Sequence, residues 1–374
     1  MRPKYHRRVS DIEGIPPDEL EEIAEVEDRY GFYANDYYLN LIDWNDPDDP
    51  IRRIVVPTPG EIMEGGSLDP SNEKRYTICR GLEHKYGPTA LLLISQACGG
   101  LCRFCFRKRL FMRGNHDATT DLKPIMEYLR QHREINNVLI SGGDPFALST
   151  KRLREVLKEL HSIDHIRYAR IGSKIPVYDP FRITEDPELI ELIREFSKSD
   201  RKLYIITDIN HPREITKESL KAIDLLQGAG AVLSNQTPLL RGVNDDVRTL
   251  KELFNKLASC GIPPYYVFQC RPTVGNRPFV VPIEEGYEIF ERAKSEVSGL
   301  AKRSKFIMSH TLGKIEIAAM TEDQVIFKFH NAAHGDDERR VMIFRRNPEA
   351  CWLDDYLEVR SPNIPSLETY GAIV

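Results

Sequence analysis

The sequence predicts an α/β protein built on a parallel sheet, and three observations carry that reading. Six β-rich runs recur along the chain: Ala90–Ser95, Asn137–Ser141, Tyr168–Gly172, Leu203–Thr207, Ala231–Asn235 and Tyr265–Gln269. Longer amphipathic segments lie between them, and strand–helix repeats in series imply parallel strands with right-handed crossovers. Polar or glycine punctuation follows each run, where barrel-like and doubly wound sheets alike gather their chemistry. The repeat by itself fits either architecture.

The elements follow in order. Before about residue 88 the chain is polar and acidic, with a helix predicted over Asp18–Arg29 and a Pro- and Asp-rich stretch through Asp46–Pro50. Residues 1–88 are therefore expected to form an extension wrapping the core. The core is expected over 89–300. Its clearest helix is Thr150–Leu160, where Leu153, Val156, Leu157 and Leu160 recur at helical spacing behind a Ser149 or Thr150 cap. A last core helix is expected near Ile283–Val297. Residues 301–374 form a C-terminal segment in which Lys305–His310 precedes Gly313-Lys314, and Gln324–His330 and Arg340–Arg346 alternate like a small antiparallel unit.

Composition narrows the class. The 374 residues are 41% hydrophobic and 29% charged with a net charge of −5, which offers no electrostatic reason to expect nucleic acid. No apolar run approaches the roughly 20 residues that span a bilayer. The basic start lacks a signal peptide's apolar stretch. Seven cysteines, three of them clustered, do not resemble a secreted disulfide framework, so a cytoplasmic protein is expected. A homo-oligomer is compatible with all of this.

The clustered cysteines carry the chemistry. Cys98, Cys102 and Cys105 follow the first β-rich run in the spacing CxxxCxxC. Soft thiolates hold iron well, and three of them on a four-iron cubane leave one iron open to a small molecule. A structural zinc site would want four ligands in paired spacings, and no second pair is present. This spacing after a first strand resembles the radical S-adenosylmethionine (SAM) enzymes, whose fold would be a partial (β/α)6 TIM-like barrel. The resemblance implies a [4Fe–4S] cluster on the three cysteines, SAM on the open iron, and a reducing electron donor of flavodoxin or ferredoxin type. Ser141-Gly142-Gly143-Asp144 alone reads as a strand-ending turn. Beside the cysteine motif it resembles the glycine-rich segment that approaches the SAM amino group.

From about Asn40 to Lys314 the resemblance narrows to the lysine 2,3-aminomutase family. Its matching segments are Asp48–Arg53, Ser141–Pro145, Arg170–Gly172, Asn210–Pro212, Glu214–Thr216, Asn235–Gln236, Leu239–Asp245, Pro264–Tyr266 and Gln269–Cys270. That family adds pyridoxal 5′-phosphate (PLP), which needs a lysine, and Lys314 after Gly313 matches the end of the PLP segment. Arg107 matches the arginine that grips the substrate's α-carboxylate, a planar anion suited to a guanidinium fork. Its neighbours Arg103, Lys108 and Arg109 could instead be solvated charges. Gln236, Asn235 and Arg241 match family positions, Gln236 as a cofactor neighbour.

Two departures bear on substrate. Lysine-specific members place an Asp after the Gln-Cys pair and another before the PLP segment; here Arg271 and Ser309 stand there. The expected reaction is therefore a PLP-dependent 2,3-amino shift on a small amino acid other than lysine, with an acidic one such as glutamate paired to Arg271. The cysteines that bind zinc in clostridial members are also absent, so no zinc is expected. The alternatives are a radical SAM enzyme without PLP, catalysing another rearrangement or hydrogen abstraction, and a non-enzymatic iron–sulfur sensor.

Overall fold

The computed structural model describes residues 2–112 and 114–358. Its strands are β1 (Tyr5–His6), β2 (Ala34–Asn35), β3 (Thr77–Cys79), β4 (Leu82–Tyr86), β5 (Thr89–Ser95), β6 (Asn137–Gly142), β7 (Tyr168–Ser173), β8 (Leu203–Thr207), β9 (Val232–Leu239), β10 (Pro264–Gln269), β11 (Lys305–His310), β12 (Gly313–Met320), β13 (Gln324–Ala332) and β14 (Val341–Arg345). β1 and β2 form a small ribbon, and the other twelve make one sheet in strict chain order. Neighbours from β5 to β11 pair in parallel, while β3, β4 and β12–β14 add antiparallel margins.

The six sequence-read strands are all present. Lys305–His310, read as lying beyond the repeat, is a seventh parallel strand in register with β10. Its outward Phe306 packs 5.6 Å from Phe290 of the preceding helix, Ile283–Ser295, which acts as one more crossover.

The sheet curls rather than closing through a backbone ladder. Side chains from β4 and the segment before β3 reach backbone carbonyls at the end of β11: Lys85 of β4 donates to the His310 carbonyl (2.6 Å), Tyr76 to Thr311 (3.1 Å) and Ser71 to Ser309 (2.9 Å). Alternate strand residues face opposite sides. Leu92, Val138, Ile140, Ile171, Ile205, Leu233, Val267 and Phe306 join the buried core under the helices. Their neighbours Ser141, Arg170, Gln236, Tyr266 and Ser309 therefore line the lumen, and so does Lys314, which precedes buried Ile315.

The N-terminal extension forms a second core. Pro17 opens its helix, Pro17–Tyr30, and Gly31 at φ 72° ends it. Ile23, Phe32, Tyr38, Leu39, Ile51, Ile54 and Val55 then pack against Phe104, Tyr178, Leu240, Cys270 and Phe279, which belong to loops beyond the strands' C-terminal ends. At about 1.5–3 kcal/mol per fully buried large side chain, this seam is a firm cover over the mouth of the barrel.

Candidate functional site

The cysteine loop leaves β5 at Ser95 and is held on two sides. On the barrel side, Gly143 N donates to Ser95 O and Asp144 N to Ala97 O, both at 2.7 Å. A Cβ on Gly142, whose φ is +123°, would sit 2.3 Å from Ser95 O, and one on Gly143 would sit 2.1 Å from Ala97 O. Only glycines let the two loops touch. Gly100 likewise lies against Tyr178, which stacks on Tyr38 at 4.1 Å.

On the extension side, Leu101 N donates to Tyr33 O (2.9 Å) and Arg103 N to Ile54 O (2.8 Å). The Arg103 guanidinium forks the fully buried Glu61 at 3.0 and 2.9 Å and reaches Gly31 O at 2.8 Å. Lys108 shares Glu61 at 3.5 Å. These residues are therefore not solvated charges. The acidic extension folds back and supplies their partners.

The three thiols are partly buried and free. Burial, with neighbouring acidic groups and thiols, pushes Cys98 up, and burial outweighs nearby cations to raise Cys102 and Cys105. A metal would reverse this, because a bound thiol is deprotonated outright. A structural zinc wants four protein ligands, whereas a cubane takes one cysteine per iron and leaves the fourth iron open. The residues fit the cluster.

Next to Cys102, Lys174 donates to Asp208 O (2.8 Å) and Asn210 Oδ1 (2.6 Å) and pairs with Glu214 (2.5 Å). Burial opposes its charge, but Glu214, Asp208 and Cys102 hold its pKa above the usual value. Asp144, expected beside a cofactor, spends its carboxylate on Ser173 Oγ and on the backbone N–H groups of Phe146, Lys174 and Ile175. It ties the second loop to the third. Burial outweighs these bonds and raises its pKa to about 6.

Further along the lumen lies a set of charges. Arg107 grips Glu73 through Nε (3.2 Å) and Nη2 (2.8 Å) and turns Nη1 toward Ser141 Oγ at 3.3 Å. Arg109 donates to Glu73 Oε2 (2.5 Å), which it shares with Arg107 Nε, and to Asp117 (2.7 Å). The Arg271 guanidinium lies 3.6 Å over the Phe106 ring, with Nη1 4.0 Å from Glu73 Oε1. That nitrogen is buried without a hydrogen bond. Burial resists ionisation of Glu73, yet Arg107 and Arg109 bring its pKa to about 2. Burial and Arg107 lower Arg271 to about 10, against the pull of Glu73.

Lys314 opens β12 behind Gly313, where a Cβ would lie 2.3 Å from Asn331 O. Its amine is 4.9 Å from the Tyr266 ring centroid. Burial, then Arg170, Arg271 and Lys85, depress its pKa to about 7. A lysine that is half neutral near pH 7 suits attack on a carbonyl, and the cations around it suit an anionic group such as a phosphate or carboxylate. Those residues fit PLP.

The Radical SAM superfamily model matches residues 92–254. A protein of Aquifex aeolicus named "Putative L-lysine 2,3-aminomutase" is 50% identical over 95% of this chain and 96% of its own length. The chain belongs to the lysine 2,3-aminomutase family. The L-lysine 2,3-aminomutase of Clostridium subterminale is 38% identical, over 76% of this chain and 68% of that one. The glutamate 2,3-aminomutase of Clostridioides difficile is 33% identical, over 78% and 68%. This aminomutase-family member is thus a radical SAM isomerase with an amino acid substrate and a need for a reductant. The family's cofactors are a [4Fe–4S] cluster, SAM and PLP. Among the described residues no helix is long and apolar enough to cross a membrane.

The fold brings Cys98, Cys102, Cys105, Ser141, Gly142 and Gly143 to one end of the lumen, and Arg107 spans from Ser141 there to the charged set around Glu73. Arg271 lies just beyond β10, Ser309 on β11 and Lys314 on β12, and Gln236 faces inward as the register partner of Tyr266. Asn235 bonds Thr207 and Ile209 structurally, and Arg241 forks Glu285 away from the site. Sequence reasoning gave no role to Glu73, Lys85, Arg170 or Lys174. Arg170 carried a usable signal, as a charge inside a buried strand. Glu73, in the polar extension, carried none.

Proposed function

We propose that this family member is a PLP-dependent 2,3-aminomutase acting on an acidic amino acid such as glutamate. The supporting observation is the convergence of Arg107 and Arg271 on one oxygen, Glu73 Oε1, at 2.8 and 4.0 Å. The two Nη nitrogens are at most the sum of those distances apart, a span suited to the carboxylates of a short dicarboxylate. Relatives with higher identity carry lysine in their names, and the charges here argue against that substrate. A lysine ammonium 4 Å from Arg271 would meet about 4 kcal/mol of repulsion at an effective dielectric of 20.

In this reading Cys98, Cys102 and Cys105 hold the cluster, with Ser141, Gly142, Gly143, Asp144 and Gln236 bordering SAM. Lys314 would anchor PLP, which would supply a π-system able to delocalise an unpaired electron while nitrogen moves between C2 and C3. Arg107 takes the α-carboxylate and Arg271 the side-chain carboxylate. The extension (1–88) covers the core (89–300) and helps exclude water, and the segment 301–374 supplies Lys314. A cytoplasmic setting and a flavodoxin- or ferredoxin-type donor complete the assignment.

The test is anaerobic incubation of reconstituted enzyme with SAM, PLP, reductant and a panel of amino acids, read by mass spectrometry. Glutamate should yield its 3-amino isomer faster than lysine yields β-lysine. Brisk β-lysine formation without an acidic product overturns the proposal.

A further inference from the structure

Glu73 meets three guanidiniums and is left over by every role assigned so far. It opens a 3₁₀ turn, Glu73–Tyr76, that follows Asn72 in the left-handed region at φ 50°. Asp69 fixes that turn by accepting from Glu73 N (2.7 Å) and Lys74 N (3.0 Å). The Glu73 backbone is therefore set before its side chain reaches the lumen.

A guanidinium has two forked edges, one formed by Nε with a terminal nitrogen and one by the two terminal nitrogens. Glu73 occupies the Nε/Nη2 edge of Arg107. Nη1 is left pointing to Ser141, toward the cluster loops. Held in this way, Arg107 presents its end-on edge to an incoming carboxylate without releasing Glu73. Arg109 donates to the Oε2 that also accepts from Arg107 Nε and is itself anchored by Asp117, which restrains the carboxylate from a second point in the chain. Arg271 stands beside the same Oε1, with its own Nη1 buried and without a hydrogen bond. One acid thus touches two arginines from loops far apart in the chain, one after β5 and one after β10, and leaves both with unspent donors.

Resting on the acidic-substrate reading above, we propose that Glu73 is the positioning residue of a two-carboxylate site: it sets the separation between Arg107 and Arg271, so the site selects dicarboxylates by length. Removing its charge takes from the two neighbouring cations the carboxylate oxygen that both approach, leaving Glu83 as the next acid near them. Both would still attract anions, but the preference for one chain length would go.

The test is anaerobic calorimetry of reconstituted holoenzyme titrated with succinate, glutarate and adipate, in the unmodified protein and in Glu73→Gln and Glu73→Asp. The unmodified protein should bind one length at least tenfold more tightly than the others. Glu73→Gln should compress that ratio below threefold, and Glu73→Asp should recover part of it or move the preferred length. The electron paramagnetic resonance signal of the reduced cluster with SAM should be unchanged in both variants. A Glu73→Gln protein that keeps the original ratio overturns the proposal, and so does loss of the cluster signal, which would mark Glu73 as structural. Failure of the unmodified protein to bind any of the three acids overturns the acidic-substrate reading itself.

Discussion

The two ends of the lumen are built from different material. Around the cysteines, backbone meets backbone: Gly143 and Asp144 donate to Ser95 and Ala97, and Leu101 and Arg103 donate to the extension. Around Lys314 and Arg271, charged side chains meet: Lys85 of β4, Arg170 of β7, Lys314 of β12 and Arg271 beyond β10 crowd together as cations, and Glu73 of the extension supplies an acid beside Arg271. A backbone contact needing glycine tolerates almost no substitution. A side-chain ion network can be re-drawn by exchanging one residue. Under the proposed assignment of the cluster to the cysteine loop, the rigid end would generate the radical and the exchangeable charged end would set the substrate.

The largest effect should come from adding one carbon at the cluster end. Gly143→Ala places a Cβ 2.1 Å from Ala97 O, closer than real contacts allow, and the opposing atom is backbone with no rotamer to yield. The loops must part, and the cysteine loop loses its barrel-side support. Most of the bound iron and all SAM cleavage should be lost, as measured by iron content and 5′-deoxyadenosine formation after anaerobic reconstitution. Full iron loading would show that the backbone contact is dispensable and break the contrast.

A smaller, directional effect is expected at the other end. Arg271→Asp exchanges a cation for an anion while the backbone stays as it is. Binding of an acidic amino acid should weaken and that of a basic one should strengthen, each by at least about tenfold, or about 1.4 kcal/mol. Competitive inhibition by glutarate and by 1,5-diaminopentane reads both directions. Equal responses in the variant and the unmodified protein would place Arg271 outside the pocket.

The same contrast explains what could be read in advance. The six core strands alternate apolar residues and end in punctuation, so their positions were legible within a few residues. The seventh was legible too, because Ile283–Ser295 between two β-rich runs is the same crossover unit; it went unread because antiparallel strands follow it directly. The cysteine and glycine motifs are local in sequence because the contacts they serve are backbone contacts. The charged end is assembled across long sequence distances. Glu73 reaches Arg107, and Glu61 reaches Arg103, from an extension whose composition says only that it is acidic. No periodicity records which acid will face which base.

Lys314 gives the finest probe of the charged end, because its proton reports the surrounding field. Burial, Arg170, Arg271 and Lys85 lower its pKa to about 7, whereas an unfolded lysine titrates near 10.5. Between those values the native state binds fewer protons at this site than the unfolded state does. Its contribution to stability therefore rises with pH across that window and is lost as pH falls toward 7. The same shift should govern reactivity. In protein freed of PLP, reductive trapping of pyridoxal at Lys314 should rise with pH and level off just above 7, while exposed lysines continue to climb toward 10. Peptide mapping with borohydride separates the two populations. In Arg271→Asp, one lowering influence becomes a raising one, and the plateau should move to higher pH. A Lys314 profile matching that of surface lysines would mean that the amine is hydrated, and the charged end would then not form the dry site that holds one substrate over another.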